Sequence, residues 1–337
     1  MDKEAFSRRI WEIFITFLAA LIVFAFILKV FDVNSNNLAG NGGISQNETG
    51  QLLLQRVEDL ENRINALVNN RLPQKIEFCG EHVPQEKLYV RERLEKELIF
   101  LSRKQFTLYI KRSQKYFPYI EKRLNDLNLP DCLKYVAVIE SALMPQAFSS
   151  AKAYGIWQFI DGTAKRYGLK KGLNYDERAN FEKATDAALN YFKDNYKQFK
   201  SWALAIAAYN AGENNIELAV KLQKTNDYYE LFLPPETMQY NYRAIIASLV
   251  ISHPERFGFS LKDADLYEWP DVEEKVYSIS NSQSVFEIAR HFKISVNELL
   301  WLNPWIKTPS GKKLYREKVK NFILPKGTYK FKVPAKK

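Results

Sequence analysis

A nineteen-residue apolar run lies near the N-terminus, at residues 10–28, and only two of its positions are polar. Arg8 and Arg9 precede it. A membrane-spanning helix needs about 20 predominantly apolar residues, whereas the apolar part of a signal peptide has about 7–15 and ends in small residues. The pattern predicts a transmembrane helix over residues 10–30, with the body of the protein outside the cytoplasm. A cleaved signal peptide and a buried helix are the alternatives.

Residues 34–84 have the pattern of a spacer. The first part, residues 34–50, is rich in Asn, Gly and Ser, which are typical of flexible connections. Apolar residues then recur in alternating steps of four and three, namely Leu53, Val57, Leu60, Ile64 and Leu67. This heptad pattern is shorter than a coiled coil requires. We therefore expect either weak self-association or an amphipathic helix that packs on the body of the protein.

Helical periodicity dominates residues 85–265, where strand-like alternation is almost absent. Apolar side chains recur every three or four residues along two segments. They are Leu94, Leu98 and Leu101 in the first segment, and Phe117, Ile120, Leu124 and Leu127 in the second. Pro130 ends the second helix. The pattern predicts an all-helical domain over residues 85–265.

One carboxylate stands out within this domain because its neighbours are apolar. Glu140 comes near the end of the segment 134–143, which is otherwise rich in Val, Ile and Leu. Apolar surroundings disfavour an ionised carboxylate and raise its pKa, as a general acid requires. On this segment alone, a glutamate that faces solvent at a helix end is the simpler interpretation.

Four short motifs change that interpretation. They are Glu-Ser at 140–141, Gly-Ile-Trp-Gln at 155–158, Ala-Tyr-Asn-Ala-Gly at 208–212 and Glu-Thr-Met-Gln-Tyr at 236–240. In this order, they resemble the motifs of the soluble lytic transglycosylase family, and most closely those of its membrane-bound murein transglycosylase D type. Four motifs in sequence are far more specific than any one of them. The resemblance implies a lysozyme-like fold with an all-helical core.

The resemblance also implies a role for each matching residue. Glu140 would be the catalytic acid/base. The residues that would bind or orient the substrate are Ser141, Gly155, Gln158, Tyr209, Asn210 and Tyr240. Gly155 would let the chain pass close to the glycan, and Tyr240 would lie within reach of the Glu140 carboxylate.

Several of these positions also have a purely structural interpretation. Trp157 and Phe159 are better explained as core residues than as a sugar platform. Tyr209 follows an apolar run, so it is either packed or substrate-facing. Asp176 and Arg178 are expected to hold a loop together.

The chemistry that the resemblance implies needs a single carboxylate. Glu140 would protonate the β-1,4 glycosidic oxygen between MurNAc and GlcNAc, and would then deprotonate the C6 hydroxyl that closes a 1,6-anhydro ring. No metal or organic cofactor is required, and peptidoglycan glycan strands are the expected partner. A hydrolase of the same bond is the alternative, with four candidate second acids: Asp161, Asp186, Glu213 and Glu236. A non-catalytic glycan-binding scaffold is the other alternative.

Residues 272–334 change to a mixed pattern. Residues 275–280 alternate like a strand, two short helical patterns follow at 284–292 and 295–302, and residues 321–325 provide a final strand. This βααβ order resembles a LysM domain, a small module that binds N-acetylglucosamine chains. Residues 281–284 and a lysine-rich insertion depart from the usual pattern, so a module kept for packing or for a protein partner is the alternative.

Charge and cysteine content add two constraints. The net charge is +10, but residues 312–337 hold ten Lys or Arg and one Glu, so the rest of the chain is nearly neutral. No nucleic-acid motif accompanies this basic tail, and no nucleic-acid partner is predicted. Cys79 and Cys132 are the only cysteines; they either pair in an oxidising compartment or are two free thiols. Together with the predicted anchor, the family resemblance implies the bacterial cell envelope, with the catalytic domain in the periplasm.

Overall fold

The structure, a computed structural model, describes residues 51, 54–57, 72–100, 103–262, 265–309 and 320–335. The chain divides into two compact units, Met1–Ile64 and Asn65–Lys337. In the first unit the described residues are helical. The predicted anchor at 10–30 and most of the heptad pattern lie outside the described residues. Within the described ranges, no helix is both long and apolar enough to cross a membrane.

The second unit contains a mostly helical domain. Its eight helices among the described residues are α1 (Leu88–Phe100), α2 (Arg103–Asp126), α3 (Lys134–Ser141), α4 (Asp161–Arg166), α5 (Phe181–Phe199), α6 (Trp202–Ala211), α7 (Glu213–Gln223) and α8 (Pro235–Ser252). Short 3₁₀ turns cover Asp131–Leu133, Glu177–Ala179 and Pro254–Phe257. The mostly helical structure that the periodicity predicts is confirmed.

Local sequence explains where several of these helices begin. Asn180 caps α5 by accepting a hydrogen bond from Lys183 N at 3.0 Å. Ser201 caps α6 in the same way through Leu204 N. Such side chains satisfy N–H groups that have no partner within the helix. Pro235 occupies the first turn of α8, where the missing N–H costs nothing.

One hydrophobic core holds these helices together. Helix α6 is apolar on every face, and residues 203–208 are buried, as expected for a helix surrounded by others. Helix α3 contributes Val136 and Val138, and α8 contributes Ile245 and Ile246, all completely buried. The two helices that carry Glu140 and Tyr240 are therefore fixed on the same core.

The domain begins earlier than the sequence pattern predicted. Leu72, Ile76, Phe78 and Val83 are buried in the core of the helical domain, although residues 72–84 were assigned to the spacer. A small antiparallel hairpin, β1 (Glu77–Phe78) and β2 (Glu81–His82), lies in this segment. Strands of two residues are too short to show a periodic pattern. The sequence pattern therefore does not reveal that residues 72–84 belong to the helical domain.

A disulfide anchors this N-terminal segment. Cys79 follows β1 and is bonded to Cys132 in the 3₁₀ turn before α3, with their Cα atoms 5.3 Å apart. The sequence left two free thiols as an equal alternative, and the structure contains the bonded pair. The segment is therefore covalently joined to the start of the helix that ends in Glu140.

The C-terminal module has its own small core. Strand β3 (Val272–Ile279) pairs antiparallel with β6 (Gly327–Pro334) along eight residues. Helices α9 (Val285–His291) and α10 (Val296–Leu302) lie between them in the chain. A second pair joins β4 (Gln283–Ser284) to β5 (Ile323–Leu324).

One strand of the module differs from the prediction. The first strand is confirmed, but residues 321–325 contain only the short β5, and the long final strand is β6. Its alternate residues Phe331 and Val333 are buried. Lysines at 330 and 332 occupy the positions between them, so the alternation was hidden within a lysine-rich segment.

Candidate active site

Glu140 lies in the last turn of α3, at the edge of the core. It is half-buried, and the Tyr240 hydroxyl from α8 donates a hydrogen bond to its Oε1 atom. The helix ends directly after Ser141, because Ala142 and Leu143 both adopt left-handed backbone conformations, with φ of 54° and 57°. Such conformations are uncommon for residues with a side chain. The abrupt turn leaves the Glu140 carboxyl group at a helix end rather than inside the helix.

The environment of Glu140 favours its protonated form. Burial raises the pKa of the Glu140 carboxyl to about 7, and the charge of Glu236 adds to this effect. The hydrogen bond from Tyr240 acts in the opposite direction and lowers the Glu140 pKa, because it stabilises the carboxylate. Near neutral pH, Glu140 therefore exchanges readily between the acid and the carboxylate, as a group that acts as both acid and base must.

Ser141 is buried and bonds to the backbone of a neighbouring loop. Its hydroxyl donates to Ile156 O at 2.7 Å and accepts from Met144 N at 3.3 Å. This loop, residues 142–160, is called the active-site loop below. The geometry favours a positioning role for Ser141, which holds the loop against the end of α3, over direct contact with a sugar.

Gly155 permits a close approach between two segments of the protein backbone. Its φ is +90°, and a Cβ atom there would lie 1.9 Å from Arg178 O. Both features require glycine. The residue packs the active-site loop onto the backbone at Arg178, and a contact between Gly155 and the glycan stays a prediction.

Gln158 closes the same loop. Its side-chain amide donates to Ala147 O at 3.0 Å and to Gly155 O at 2.8 Å. Its backbone is left-handed, with φ of 48°. Since both amide hydrogens are used by these carbonyls, a further partner of the Gln158 side chain would have to bond to its oxygen, an acceptor.

A buried ion pair holds the active-site loop through hydrogen bonds to its backbone. Arg178 pairs with Asp176, with 2.7 Å between Nη2 and Oδ2, and both side chains are almost fully buried. The Arg178 guanidinium also donates to Lys152 O and Phe159 O, each at 3.0 Å. The prediction that these two residues hold a loop together is confirmed.

The aromatic residues of the motifs are mainly packed. Trp157 is completely buried, and its indole N–H donates to Thr185 Oγ1 at 3.0 Å. The half-buried Tyr209 stacks on Phe192 with ring centres 4.4 Å apart and donates its hydroxyl to Trp157 O at 2.7 Å. Trp157 and Phe159 are core residues as predicted, and Tyr209 joins α6 to the active-site loop.

Asn210 connects α6 to the beginning of α8. Its Oδ1 accepts a hydrogen bond from Thr237 Oγ1 at 2.9 Å, and its amide nitrogen lies 3.5 Å from a Glu236 oxygen. Asn210 is half-buried and Glu236 is exposed. These two polar groups, together with Glu140 and Tyr240, lie at the junction of α3, α6 and α8.

Two supporting residues were missed by the sequence analysis. Arg112 on α2 donates to Ala142 O at 2.9 Å and so stabilises the left-handed turn after Glu140. Thr185 on α5 holds Trp157. No local pattern marks either residue, because the partner of Arg112 is a backbone carbonyl 30 residues away and that of Thr185 is a side chain 28 residues away.

The structure distinguishes among the four acids that were considered as a second catalytic group. Three form ion pairs within hydrogen-bond distance: Asp161 with Lys171 and Arg178, Asp186 with Arg123, and Glu213 with Arg166. Glu236 forms no ion pair with the described residues, and it is the acid whose charge acts on Glu140. Within the described part of the chain, no group of three or more His, Cys, Asp or Glu residues is placed to hold a metal ion.

Comparison with known proteins gives a family match and several relatives. Residues 118–232 match the family model described as Transglycosylase SLT domain. The chain is 33% identical to "Membrane-bound lytic murein transglycosylase D" of Escherichia coli strain K12 over 204 residues, which are 58% of this chain and 44% of that protein. The same protein from E. coli strain CFT073 gives the same figures. A "Putative tributyltin chloride resistance protein" from Alteromonas sp. strain M-1 is 34% identical over 110 residues, 32% of this chain and 53% of that protein.

The helical fold brings the Glu140–Tyr240 pair and the supported loop together around one carboxyl group. The family match is limited to residues 118–232, and the similarity to the E. coli lytic murein transglycosylases covers 58% of this chain. The chain spans less than half the length of those E. coli relatives.

Proposed function

We propose that this protein cleaves the β-1,4 bond between MurNAc and GlcNAc in peptidoglycan and leaves a 1,6-anhydro-MurNAc end, with Glu140 as the acid/base. One observation carries the proposal: a single carboxyl group, with its pKa raised to about 7 by burial, lies at the end of α3 against the Tyr240 hydroxyl.

In the proposed reaction Glu140 first donates a proton and then accepts one. Protonated Glu140 gives its proton to the glycosidic oxygen as the bond to the MurNAc anomeric carbon breaks. The resulting carboxylate then takes the proton of the C6 hydroxyl of the same sugar, and that oxygen bonds to the anomeric carbon. Because the nucleophile is part of the substrate, no water has to be positioned, which lowers the entropic cost of the step.

Neighbouring groups have distinct parts in this scheme. The Tyr240 hydroxyl stabilises the carboxylate formed after proton donation, since it donates to Glu140. The Gln158 side-chain oxygen accepts a hydrogen bond from the sugar. Asn210, held by Thr237, presents its amide dipole beside the reacting sugar and stabilises the oxocarbenium-like charge.

The test is mass spectrometry of the fragments that the purified protein releases from isolated sacculi, beside a Glu140→Gln variant. We expect anhydro-MurNAc ends from the wild type and a loss of about 10³-fold or more in the variant, which can no longer donate or accept a proton. Reducing ends with water added would refute the transglycosylase mechanism. A folded wild type that releases no fragments would refute cleavage altogether and leave the glycan-binding scaffold.

A hydrolase that uses Glu236 as its second carboxylate is the competing function, favoured by the effect of Glu236 on Glu140. The Glu236→Gln variant separates the two. Under our proposal it keeps the anhydro product and cleaves within about tenfold of the wild-type rate, because Glu236 has only an electrostatic effect. A hydrolase would lose its activity in this variant and would incorporate ¹⁸O from labelled water in the wild type.

The location of the enzyme and the role of its C-terminal module belong to the same proposal. We place the protein in the bacterial cell envelope, anchored through residues 10–30, and we take residues 272–334 as a LysM-like module that binds glycan strands. The name of the E. coli relatives as membrane-bound supports the anchor. Deletion of residues 1–33 should move the protein from the membrane to the soluble fraction, and sedimentation of the Glu140→Gln variant with sacculi should weaken when exposed module side chains are changed.

A further inference from the structure

A short segment of the C-terminal module is built into the helical domain. Residues 303–307, called the docking segment here, are buried from Asn303 to Ile306. Ile306 forms an antiparallel β-bridge with Tyr175. Around this bridge, Asp176 N donates to Trp305 O at 2.8 Å, and Lys307 N donates to Asn174 O at 2.9 Å. The module is therefore joined to the domain by backbone hydrogen bonds, which depend little on side-chain identity.

Asn174 strengthens this junction from the side of the domain. It is buried, and its side-chain amide donates to Asn321 O at 2.7 Å and to Ile323 O at 2.9 Å. Both acceptors belong to the module, next to or within β5. Asn174 therefore uses both amide hydrogens on the module, and a buried donor pair of this kind is costly to remove because the acceptors lose their partners.

The residues held by the docking segment are those that support the active-site loop. Asp176, whose N–H is bonded to the module, holds Arg178 through its carboxylate. Arg178 holds the loop through Lys152 O and Phe159 O, and its own carbonyl is the surface against which Gly155 packs.

A second contact reaches the other end of the loop. Gln146 donates from its side-chain amide to Pro304 O at 3.2 Å. The next residue, Ala147, accepts hydrogen bonds from Gly155 N and from the Gln158 side chain. The docking segment thus touches the active-site loop directly at 146 and indirectly through 176 and 178.

We propose that the C-terminal module acts as a positioning element of the active site, and that Asn174 is a positioning residue which fixes the module against the Asp176–Arg178 pair. The module then does more than bind glycan: its docking sets the shape of the loop that carries Gln158 and the carbonyl of Ile156. The expected effect on kcat rests on the proposed function, whereas the positioning of the loop by the module does not.

The experiment compares full-length Asn174→Ala and Asn174→Ser variants with the wild type. The first removes both donors to the module, and the second replaces them with a single hydroxyl donor. As the matched control, Glu182→Gln removes an ion pair with Lys332 at the same junction, and among the described residues Glu182 forms no hydrogen bond or ion pair with residues 174–178. We expect kcat for glycan cleavage to fall about tenfold in Asn174→Ala and less in Asn174→Ser, with KM nearly unchanged and the control near wild type, because a loop shift of an ångström is enough to disturb catalysis.

Hydrogen exchange provides a readout that does not require activity. The amides of Gly155 and Gln158 are bonded within the loop, so in Asn174→Ala they should exchange at least about tenfold faster, while those of α6 keep their protection. Unchanged exchange at 155 and 158, or equal acceleration in Glu182→Gln, would overturn the inference whether or not the protein cleaves glycan. If exchange accelerates as expected but the wild type releases no anhydro product, the proposed function fails and the positioning role stands.

Discussion

Glu140 and Tyr240 are 100 residues apart in the chain, yet each shifts the proton affinity of the other. The Tyr240 hydrogen bond lowers the pKa of Glu140, and burial together with the charge of Glu140 raises the pKa of Tyr240 well above its usual value. Tyr240 therefore keeps its proton at physiological pH and donates it in a hydrogen bond to the Glu140 carboxylate. Glu140 is then the member of the pair that titrates near neutrality.

The pH dependence of cleavage follows from these directions. Under the proposed mechanism cleavage requires protonated Glu140, so kcat/KM should fall as the pH rises through about 7. Tyr240→Phe removes an interaction that lowers the Glu140 pKa, so the alkaline limb should move to higher pH. Glu236→Gln removes a charge that raises this pKa, so the limb should move to lower pH. Rates on soluble glycan strands between pH 4 and 9 measure both shifts; shifts of the same sign in the two variants would contradict the assignment.

At the scale of elements, the active-site loop is held mostly by contacts to backbone atoms. Ser141, Gln158, Arg178 and Tyr209 each donate from the side chain to a main-chain carbonyl of the loop. Main-chain acceptors do not depend on which residues the loop contains. The loop therefore keeps its shape through a few donors, and the loss of one of them, or of the fit at Gly155, should affect the whole loop.

Gly155→Ala should destabilise the fold by about 2–4 kcal/mol, because the new methyl group would overlap the Arg178 carbonyl and φ would remain positive. Gly168→Ala is the matched control. That glycine also has a positive φ, +81°, but has nothing within 4 Å of the added atom, so a cost near 1 kcal/mol is expected. Urea unfolding of both variants gives the comparison. Equal costs would mean that the contact with Arg178 is unimportant.

The sequence was sufficient to predict most helices and strands but not all of the contacts between them. The helices and the first strand of the module were predictable, because burial of one face leaves a periodic pattern. The contact of Gly155 was not predictable, since its close neighbour is the backbone carbonyl of a distant residue. Every residue has a backbone carbonyl, so the sequence does not indicate which one lies there. The same reason hides Arg112, which bonds to Ala142 O. The lysines beside Phe331 and Val333 concealed β6, because they made an alternating strand resemble a charged tail.

At the scale of the whole molecule, the disulfide closes a large covalent loop. Cys79 and Cys132 are 53 residues apart, and the loop includes α1 and α2. Cross-linking restricts the unfolded chain more when the loop is longer. The bond also indicates maturation under oxidising conditions, as in the bacterial periplasm, in agreement with the proposed envelope location.

The disulfide should contribute about 4 kcal/mol to the free energy of unfolding, by the chain-entropy relation for a loop of this size. Thermal unfolding of the wild type with and without a reductant measures this contribution. A Cys79→Ala/Cys132→Ala double variant is the control, because reductant should leave its melting temperature unchanged. If the wild type melts at the same temperature in both conditions, the disulfide does not stabilise the native fold.

The same bond determines how the molecule carries a mechanical load. A pull applied to the chain before Cys79 passes through the sulfur atoms to Cys132, so helices α1 and α2 are bypassed and cannot be peeled from the core. The tension arrives instead at the first turn before α3, the helix that ends in Glu140. Stretching single molecules with the bond intact should release about 180 Å less extended chain than after reduction, since 53 residues stay locked inside the loop. Force on the chain before Cys79 would thus reach the helix that carries Glu140 before the rest of the domain yields.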